Sequence, residues 1–220
     1  MIVVVDGTGN SDPQKYGQEM KGSFCDQLRH ADHATYLRGP SLFGWETSAI
    51  ADAAVNAVRS ARLAPAEAVM LAGHSRGGCA VILAAKRLQA LNINVSAMFL
   101  FDAVDMQGSD LSLSRTIPGN VAFVAHARSA RDLLFWAKNP NKSRFYFYNT
   151  GVALADHPAA YVERAFVGSH SAVGGLPWRD IPTDPGIVGQ TAAWMNEQMR
   201  AHGLVLKNEL KWSGQYAQNL

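Results

Sequence analysis

The sequence predicts an α/β protein in which helices cover both faces of a doubly wound, mainly parallel sheet. Two observations support this prediction. Short apolar runs, typical of strands buried on both faces, recur along the chain, and segments with helical apolar spacing lie between them. Because strand and helix alternate, the strands are expected to lie parallel and to be joined by crossover helices.

The predicted strands are the apolar runs bounded by turn residues. Residues 2–5 form a continuous β-branched run that ends at the glycine-containing loop 6–10, and residues 34–37 form a weaker run. The remaining strands are predicted at residues 68–72, 95–101, 121–125 and 161–167.

Three helices are predicted from apolar residues at helical spacing. The first begins at residue 47 or 48 and is stopped by Pro65. The second spans residues 79–91 and places its lysine and arginine away from its apolar side. The third, residues 187–202, is an amphipathic helix that closes the domain.

Length and composition indicate one domain that spans residues 1–220. With 220 residues and 48% hydrophobic side chains, the chain can bury a full core but is short for two domains. Its 20 basic and 18 acidic residues nearly balance, and the basic ones are scattered along the chain. This pattern lacks the electrostatic footprint of a nucleic-acid-binding protein, so no nucleic-acid partner is expected.

The cysteines and the first residues indicate the compartment. Cys25 and Cys79 lie far apart in unrelated contexts, so neither a disulfide framework nor a cysteine-based zinc site is expected. The start of the chain lacks a basic region, and no apolar run approaches the roughly 18 residues that span a membrane. We therefore expect a soluble cytoplasmic protein without metal or cofactor, whose mature chain starts near Met1. Export by an unconventional secretion system is compatible with this expectation.

Residues 73–77 (Gly-His-Ser-Arg-Gly) form a G-x-S-x-G motif centred on Ser75. The motif follows the predicted strand 68–72 and opens a helix, the setting in which a sharp turn exposes a serine hydroxyl above the sheet edge. A glycine-rich turn with a capping serine, as in phosphate-binding folds, is the alternative. That turn would need Lys-Ser or Lys-Thr after the glycines, or G-x-G-x-x-G, and neither is present. We therefore predict Ser75 as the nucleophile of an α/β-hydrolase-like fold.

A nucleophilic serine needs a neighbouring base, and the chain has seven histidines. In α/β hydrolases the chain order is serine, acid, histidine. His170 fits this order, because it follows the strand 161–167 and lies in the glycine-flanked loop 168–175. His126, at the end of an apolar run, is the second candidate and is equally compatible with a structural role. His74 is expected to pack beneath the turn.

Asp102 is the predicted acid. It follows the strand 95–101 and lies 27 residues after Ser75, so one helix and one strand should bring it to the same edge of the sheet. Its carboxylate would accept the Nδ1 proton of His170 and stabilise the imidazolium formed during attack. A turn-capping role for Asp102 is the alternative. The other candidate acids are Asp105, Asp132 and Asp156.

An oxyanion hole needs two backbone N–H donors. Arg76, directly after the nucleophile, would supply the first, and Gly7 or Thr8 in the loop 6–10 the second. The same loop faintly resembles the aspartate-first loops of phosphotransferases and actin-like ATPases, which would predict a nucleotide-binding protein with Mg²⁺ and phosphate. The first class would need a second aspartate where Thr8 stands, and the second needs further nucleotide motifs that the sequence lacks.

Together these motifs resemble the DUF2235 group of α/β hydrolases, which includes type VI secretion lipase effectors of the Tle1 class. The matching segments are residues 3–10, 73–78, 101–104, 126–127 with Asp132, 168–175 and the closing helix at 192–195. The resemblance implies an α/β-hydrolase fold, a triad of Ser75, Asp102 and His170, and a carboxylic ester substrate, in some relatives a phospholipid.

The chain also departs from that family. At residues 73–78 the family usually has Gly-Phe-Ser-Arg-Gly-Ala, and it has threonine at Ala103 and aspartate at Ala172. These changes leave the proposed triad in place and are expected to alter hydrogen bonds around it. The large membrane-engaging additions of the toxin-like relatives cannot fit in 220 residues, so a minimal esterase is the expected form.

The sequence therefore predicts a serine ester hydrolase, of esterase, lipase or phospholipase type, that acts on a small-molecule ester or a lipid. A catalytically silent hydrolase-fold binding protein is the alternative. Aromatic and basic residues at 133–148 would suit a lid or a transient contact with a membrane surface. An amphipathic helix and an extra strand that cover the sheet are the simpler interpretation, since large exposed apolar patches are uncommon.

Overall fold

The computed structural model describes residues 1–42, 45–61, 67–105, 114–130, 132–139, 142, 147–151, 153–154 and 160–218. Within them, the strands are β1 (Ile2–Val5), β2 (Ala34–Leu37), β3 (Met70–His74), β4 (Ala97–Phe101), β5 (Val104–Asp105), β6 (Thr116–Ile117), β7 (Phe123–Ser129), β8 (Tyr148–Asn149), β9 (Ala153–Leu154) and β10 (Ala160–Phe166). The helices are α1 (Pro13–Glu19), α2 (Phe24–Leu28), α3 (Thr47–Ser60), α4 (Arg76–Ala90), α5 (Leu133–Lys138), α6 (His170–Val173) and α7 (Asp184–Ala201). Among the described residues, no helix combines the length and the apolar composition that spanning a bilayer requires.

Six strands form one sheet in the order β2-β1-β3-β4-β7-β10, and every neighbouring pair is parallel. The short strands lie outside it, where β5 pairs with β8 and β6 pairs with β9. The six strands of the sheet are the six that the sequence predicts. The predicted class, an α/β-hydrolase-like fold with a doubly wound and mainly parallel sheet, is therefore confirmed.

Alternate strand residues face two separate cores, which explains why the strands are apolar throughout. In β1, Val3 and Val5 pack with α3 and α4 on one face of the sheet. Ile2 and Val4 pack with α2 and α7 on the other face. All four side chains are almost wholly buried, and full burial of one such side chain contributes about 1.5–3 kcal/mol to stability. The sheet is thus fixed between two helical layers.

The connections change direction between β1 and β3. The chain leaves β1 toward β2 on one side, whereas it leaves β3 toward β4 on the other. In open α/β sheets a crevice forms at such a point, beyond the carboxyl ends of the two strands. The loop 6–10 follows β1, and Ser75 follows β3. The topology therefore brings both predicted parts of the site to one place.

The observed elements differ from the predicted ones mainly at their ends. Strands β4 and β7 both begin two residues later than predicted, since Val95 and Val121 pair only through one isolated bridge. Helix α4 begins at Arg76, directly after the turn, and not at Cys79. Helices α1 and α2, between β1 and β2, are absent from the sequence prediction.

Gly77, at the start of α4, marks a very close contact between the turn and β1. A Cβ atom there would lie 2.2 Å from the Asp6 carbonyl oxygen and 2.4 Å from that of Val5. Replacing Gly77 with alanine should lower the free energy of unfolding by about 1–3 kcal/mol, because main-chain atoms would have to shift. Chemical denaturation measures this change.

Gly186 in α7 supplies the matched control, since a Cβ atom added there meets nothing within 4 Å. Gly186→Ala should be neutral or should stabilise the protein by up to about 1 kcal/mol through helix propensity. Equal free energies of unfolding for the two variants would contradict the packing argument.

Candidate active site

Ser75 lies on a strained turn between β3 and α4. Its backbone has φ 55° and ψ −130°, a sparsely populated conformation that costs on the order of 1–3 kcal/mol. The Ser75 N–H donates to the Phe101 carbonyl (3.0 Å), and its own carbonyl accepts from the N–H groups of Gly78 (3.0 Å) and Val104 (3.1 Å). These bonds hold the serine at the carboxyl edge of the sheet, where the sequence predicts it.

The Ser75 hydroxyl is one end of a hydrogen-bonded line of three side chains. Its Oγ lies 2.8 Å from Nε2 of His170, and Nδ1 of the same ring lies 2.7 Å from Oδ2 of Asp102. A carboxylate oxygen can only accept, so in the neutral imidazole Nδ1 carries the proton and Nε2 accepts from the serine hydroxyl. In this protonation state a histidine can remove the proton of a serine.

Asp102 is fully buried and also has a positive φ, of 43°. Two hydrogen bonds to β7 hold its turn. The Asp102 N–H donates to the Ala127 carbonyl (2.6 Å), and the Ala103 N–H donates to Nε2 of His126 (3.1 Å). His126 is buried as well, and its Nδ1 lies 3.3 Å from the Tyr161 hydroxyl. The second candidate for the base therefore fixes the backbone that carries the acid.

The alternative acids occupy other places. Asp132 caps α5 by accepting the Phe135 N–H at 2.7 Å. Asp105 is buried, and its charge acts on the Arg76 guanidinium. Asp156 lies outside the described residues. Asp102 is the candidate that the structure places against His170.

A buried aspartate anchors the loop that carries His170, the first residue of α6. Ser169 donates through its N–H and its Oγ to the two carboxylate oxygens of Asp184, at 3.1 and 2.5 Å. The same Oγ accepts the Ala172 N–H and so caps the short helix. Because Asp184 is the first residue of α7, the position of His170 depends on the long final helix.

Two aromatic rings stack on the imidazole of His170. The ring centroids of His74 and Phe147 lie 5.1 and 5.3 Å from it, with interplanar angles of 29° and 25°. Nε2 of His74 also donates to the His170 carbonyl over 3.4 Å. His74 is buried at the turn, where the sequence predicts it to pack, and it helps to hold the imidazole.

His74 is neutral at neutral pH. Burial lowers its pKa to about 3, and the neighbouring His170 adds to this shift. When His170 takes up a proton, the adjacent ring therefore adds no second positive charge. A neutral His74 can support His170 without opposing its protonation.

Asp6, which follows β1, is a buried carboxylate surrounded by donors. Its Oδ2 accepts from the hydroxyls of Ser23 (2.6 Å) and Tyr36 (3.1 Å), and its Oδ1 accepts the Gly7 N–H (2.8 Å). Burial raises the pKa of Asp6 to about 6, although these hydrogen bonds oppose the shift. Because protein donors occupy both oxygens of this buried group, it is poorly placed to ligate Mg²⁺. This arrangement argues against the nucleotide-binding alternative.

The loop after β1 packs against the turn that carries Ser75. A Cβ atom on Gly7 would meet Nδ1 of His74 at 2.7 Å and the Ser75 Cβ at 3.4 Å, so a side chain here would displace the histidine. Of the two candidate oxyanion donors in the loop, the Gly7 N–H already donates to Asp6. Among the described residues, neither the N–H nor the buried hydroxyl of Thr8 has a hydrogen-bond partner. The available donor is therefore Thr8.

The main-chain N–H and the guanidinium of Arg76 make contacts in different places. Its N–H lies in the first turn of α4 directly after Ser75, where the helix dipole favours negative charge. Its guanidinium donates to the carbonyls of Ser41 (3.2 Å) and Leu42 (2.6 Å). The side chain thus ties a neighbouring loop to the turn, while the N–H keeps the place predicted for an oxyanion donor.

Tyr16 of α1 and Ser23 of α2 support the site, and neither is among the residues predicted from the sequence. Both helices nevertheless begin with recognisable signals. Residues 12–13 (Asp-Pro) are an N-cap followed by a proline at the first helical position. Residues 23–26 (Ser-Phe-Cys-Asp) have the spacing of a capping box. These signals could have placed two helices directly after the loop 6–10.

No family model and no curated protein sequence matches this chain. Among solved structures it is similar to an uncharacterized protein from Pseudomonas aeruginosa, with 13% identity and a TM-score of 0.47, over 79% of this chain and 41% of that one. It is also similar to the RedJ thioesterase of prodiginine biosynthesis in Streptomyces coelicolor, with 14% identity and a TM-score of 0.42, over 81% and 86% of the two chains. A third is YbtT, a type II thioesterase of yersiniabactin biosynthesis, with 10% identity and a TM-score of 0.43, over 93% and 94%. At these identities the likeness concerns the fold alone, and the interpretation of the site depends on its own geometry.

The raised pKa of Asp6 predicts a stability difference between the wild type and Asp6→Asn that depends on pH. Below about pH 4 the carboxyl group is protonated in both the folded and the unfolded chain. Between about pH 4 and pH 6 the unfolded chain ionises first, so the wild type loses stability as the pH rises. Relative to Asp6→Asn, which cannot ionise, the total loss should be roughly 3 kcal/mol.

Chemical denaturation of both proteins between about pH 4 and pH 8 measures this difference. The free energy of unfolding of the wild type should fall relative to that of Asp6→Asn up to about pH 6 to 7, and the difference should stay constant above that pH. A free-energy difference that is constant across the range would contradict the argument.

Proposed function

We propose that this chain is a serine ester hydrolase that works through an acyl-enzyme. The observation that carries the proposal is the line of hydrogen bonds from Ser75 through His170 to Asp102, with lengths of 2.8 and 2.7 Å. Ser75 follows β3, Asp102 follows β4 and His170 follows β10, so the fold brings together three groups that are distant in the sequence. Nucleophile, base and acid in this arrangement are what acyl transfer through a serine requires.

In the first half-reaction, Ser75 Oγ attacks the ester carbonyl carbon while its proton passes to Nε2 of His170. The new Oγ–C bond moves the carbonyl π electrons onto the oxygen, which becomes an oxyanion. When the oxyanion collapses, the C–O bond to the alcohol breaks and the departing alcohol takes the proton from Nε2. An acyl group remains on Ser75.

In the second half-reaction, a water molecule attacks the acyl carbon and gives a proton to Nε2 of His170. Collapse of the new oxyanion breaks the bond to Ser75 Oγ, returns that proton to the serine and releases the carboxylic acid. Asp102 stays ionised and accepts the Nδ1 proton throughout, so it stabilises the imidazolium that forms in each half-reaction.

In this proposal the Arg76 N–H and the Thr8 N–H stabilise the oxyanion, and the Thr8 hydroxyl is a further donor. Fixed donors act most strongly where water is excluded, and Ser75 is only 4% exposed. The Gly7 N–H, the other donor that the sequence predicts for this loop, holds the loop to Asp6 instead.

We infer an ester with an apolar acyl group as the substrate, either a small molecule or a lipid. Helix α5 exposes Leu133 (78%) and Leu134 (76%). A few residues after this helix, the Lys142 carbonyl accepts the His170 N–H at 3.1 Å. The helix is therefore close in sequence to a residue that contacts the site. Exposed leucines on a short helix are typical of a surface that contacts lipid. The resemblance to the DUF2235 group, with its lipase members, agrees with this proposal.

A fluorophosphonate probe, which reacts with activated serines, tests the nucleophile. The wild type should be labelled at Ser75, and Ser75→Ala should lose the label completely because the activated oxygen is gone. Mass spectrometry of the labelled peptide identifies the site. Ser96→Ala is the matched control and should label like the wild type, since Ser96 precedes β4 and, within the described part of the chain, its hydroxyl donates to the Val69 carbonyl. A wild type that takes no label would contradict the proposal and favour a catalytically silent binding protein.

The two leucines of α5 test the substrate class. In a Leu133→Ser/Leu134→Ser variant, hydrolysis of micellar esters should fall at least about 10-fold because the apolar contact with the aggregate is lost. Hydrolysis of a short soluble ester, such as p-nitrophenyl acetate, should be unchanged. Leu91→Ser is the control, since Leu91 is 46% exposed at the far end of α4. Equal losses on both substrates would rule out a role for α5 in contacting lipid.

A further inference from the structure

The hydroxyl of Tyr16 in α1 is hydrogen-bonded to the loop that follows β1. Its hydroxyl donates to the Gly7 carbonyl at 2.6 Å and accepts the Gly39 N–H at 2.6 Å. The side chain is only 3% exposed. Because the hydroxyl proton is directed by the bond it accepts as well as by the bond it donates, its orientation is fixed.

Helix α1 holds Tyr16 rigidly against the loop. The Asp12 carboxylate caps the helix by accepting the N–H groups of its first turn. A Cβ atom on Gly9 would lie 2.6 Å from the Tyr16 ring, so the loop backbone lies directly on that ring. At the other end of α1, Glu19 accepts the Asn10 N–H at 2.8 Å. The loop and the helix therefore form one packed unit.

The Gly7 carbonyl and the Thr8 N–H belong to the same peptide unit. In a planar trans peptide these two groups point in opposite directions. A carbonyl that faces Tyr16 therefore turns the Thr8 N–H away from Tyr16. The same peptide lies beside the nucleophile, because the Cβ position of Gly7 is 3.4 Å from the Ser75 Cβ.

Glycine at position 7 does not fix this orientation by itself. Gly7 has no Cβ atom, so its own φ and ψ are little restricted, and resistance to rotation comes from Thr8 on the other side of the peptide and from tertiary contacts. A flipped peptide would present a carbonyl oxygen where a donor is needed. Asp6 holds the Gly7 N–H, which belongs to the preceding peptide unit. Among the described residues, the Tyr16 hydroxyl is the hydrogen-bond donor that holds the Gly7 carbonyl in the observed orientation.

We propose that Tyr16 is a positioning residue for the oxyanion hole, which keeps the Thr8 N–H available to the substrate by holding the Gly7 carbonyl. This inference rests on the proposed hydrolase function. The bond also polarises the peptide and so strengthens the N–H as a donor. Burial raises the pKa of the Tyr16 hydroxyl well above its usual value, so the hydroxyl remains a donor at alkaline pH.

Tyr16→Phe, which removes the hydroxyl and keeps the ring, tests this role with p-nitrophenyl butyrate as the substrate. The oxyanion exists only in the transition state, so kcat should fall by about 10- to 100-fold while KM changes less than about 2-fold. The affinity for butylboronic acid, which forms a tetrahedral adduct with a serine, should fall by the same factor as kcat/KM. Titration of reactive serines to completion with the fluorophosphonate gives the competent fraction, so partial unfolding is not mistaken for a lower kcat.

Ser96→Ala deletes a bond of the same kind, from a hydroxyl to a main-chain carbonyl, and should leave both constants unchanged. Wild-type constants for Tyr16→Phe, or a raised KM with an unchanged kcat, would overturn the positioning role and leave the hydrolase function intact. Absence of both labelling and turnover in the wild type would overturn the proposed function, and this inference with it.

Discussion

The contact between the turn that carries Ser75 and the end of β1 is the constraint on which the rest of the candidate site depends. Strands β1 and β3 pair in register up to Val5 and Gly73, so the segments that follow them must share one crevice. The main chain at Gly77 touches that of Asp6 there, and no side chain larger than hydrogen fits between them. Strain at Ser75 persists because the surrounding backbone bonds allow no alternative. The serine and the loop that faces it are therefore placed by the same contact.

Each member of the hydrogen-bonded line of Ser75, His170 and Asp102 is held by an element other than its own. Ser75 is bonded to the end of β4, Asp102 to β7, and the loop that carries His170 to the start of α7. Hydrogen bonds from other elements are effective supports, because a strained or polar residue keeps one geometry only when several neighbours hold it. This arrangement also means that the line forms only once the sheet and the final helix are in place.

The parts of the structure that could be predicted are those with local signals. Apolar runs mark the six strands of the sheet, and glycines with the order of motifs mark Ser75, Asp102 and His170. Strand β7 was predicted too short because His126 and a following arginine interrupt its apolar pattern. The strand continues because buried His126 accepts a main-chain N–H and so satisfies its own polarity. Sequence spacing does not encode such long-range pairings.

The same limit explains why the sequence does not show which N–H of the loop 6–10 lacks a partner. Whether Gly7 or Thr8 offers the free N–H depends on how the Asp6 side chain folds back, and this follows from donors on α2 and β2. Helices α1 and α2 are only 7 and 5 residues long, too short for apolar periodicity to identify them. The sequence therefore left both N–H groups as candidates, and tertiary contacts determine which of them is bonded to Asp6.

Electrostatics give the two N–H groups of the loop different tasks. Asp6 is largely ionised at neutral pH, since its pKa is about 6, and in the proposed mechanism a second, transient negative charge forms beside Ser75. The Gly7 N–H faces the first charge, and the Thr8 N–H is left for the second. Two like charges in a poorly solvated site repel each other, and a hydrogen-bond donor to each charge offsets part of that cost. A flip of the peptide between Gly7 and Thr8 would remove the donor from the transient charge and put a carbonyl dipole in its place. The hydrogen bond from the Tyr16 hydroxyl to the Gly7 carbonyl opposes this flip.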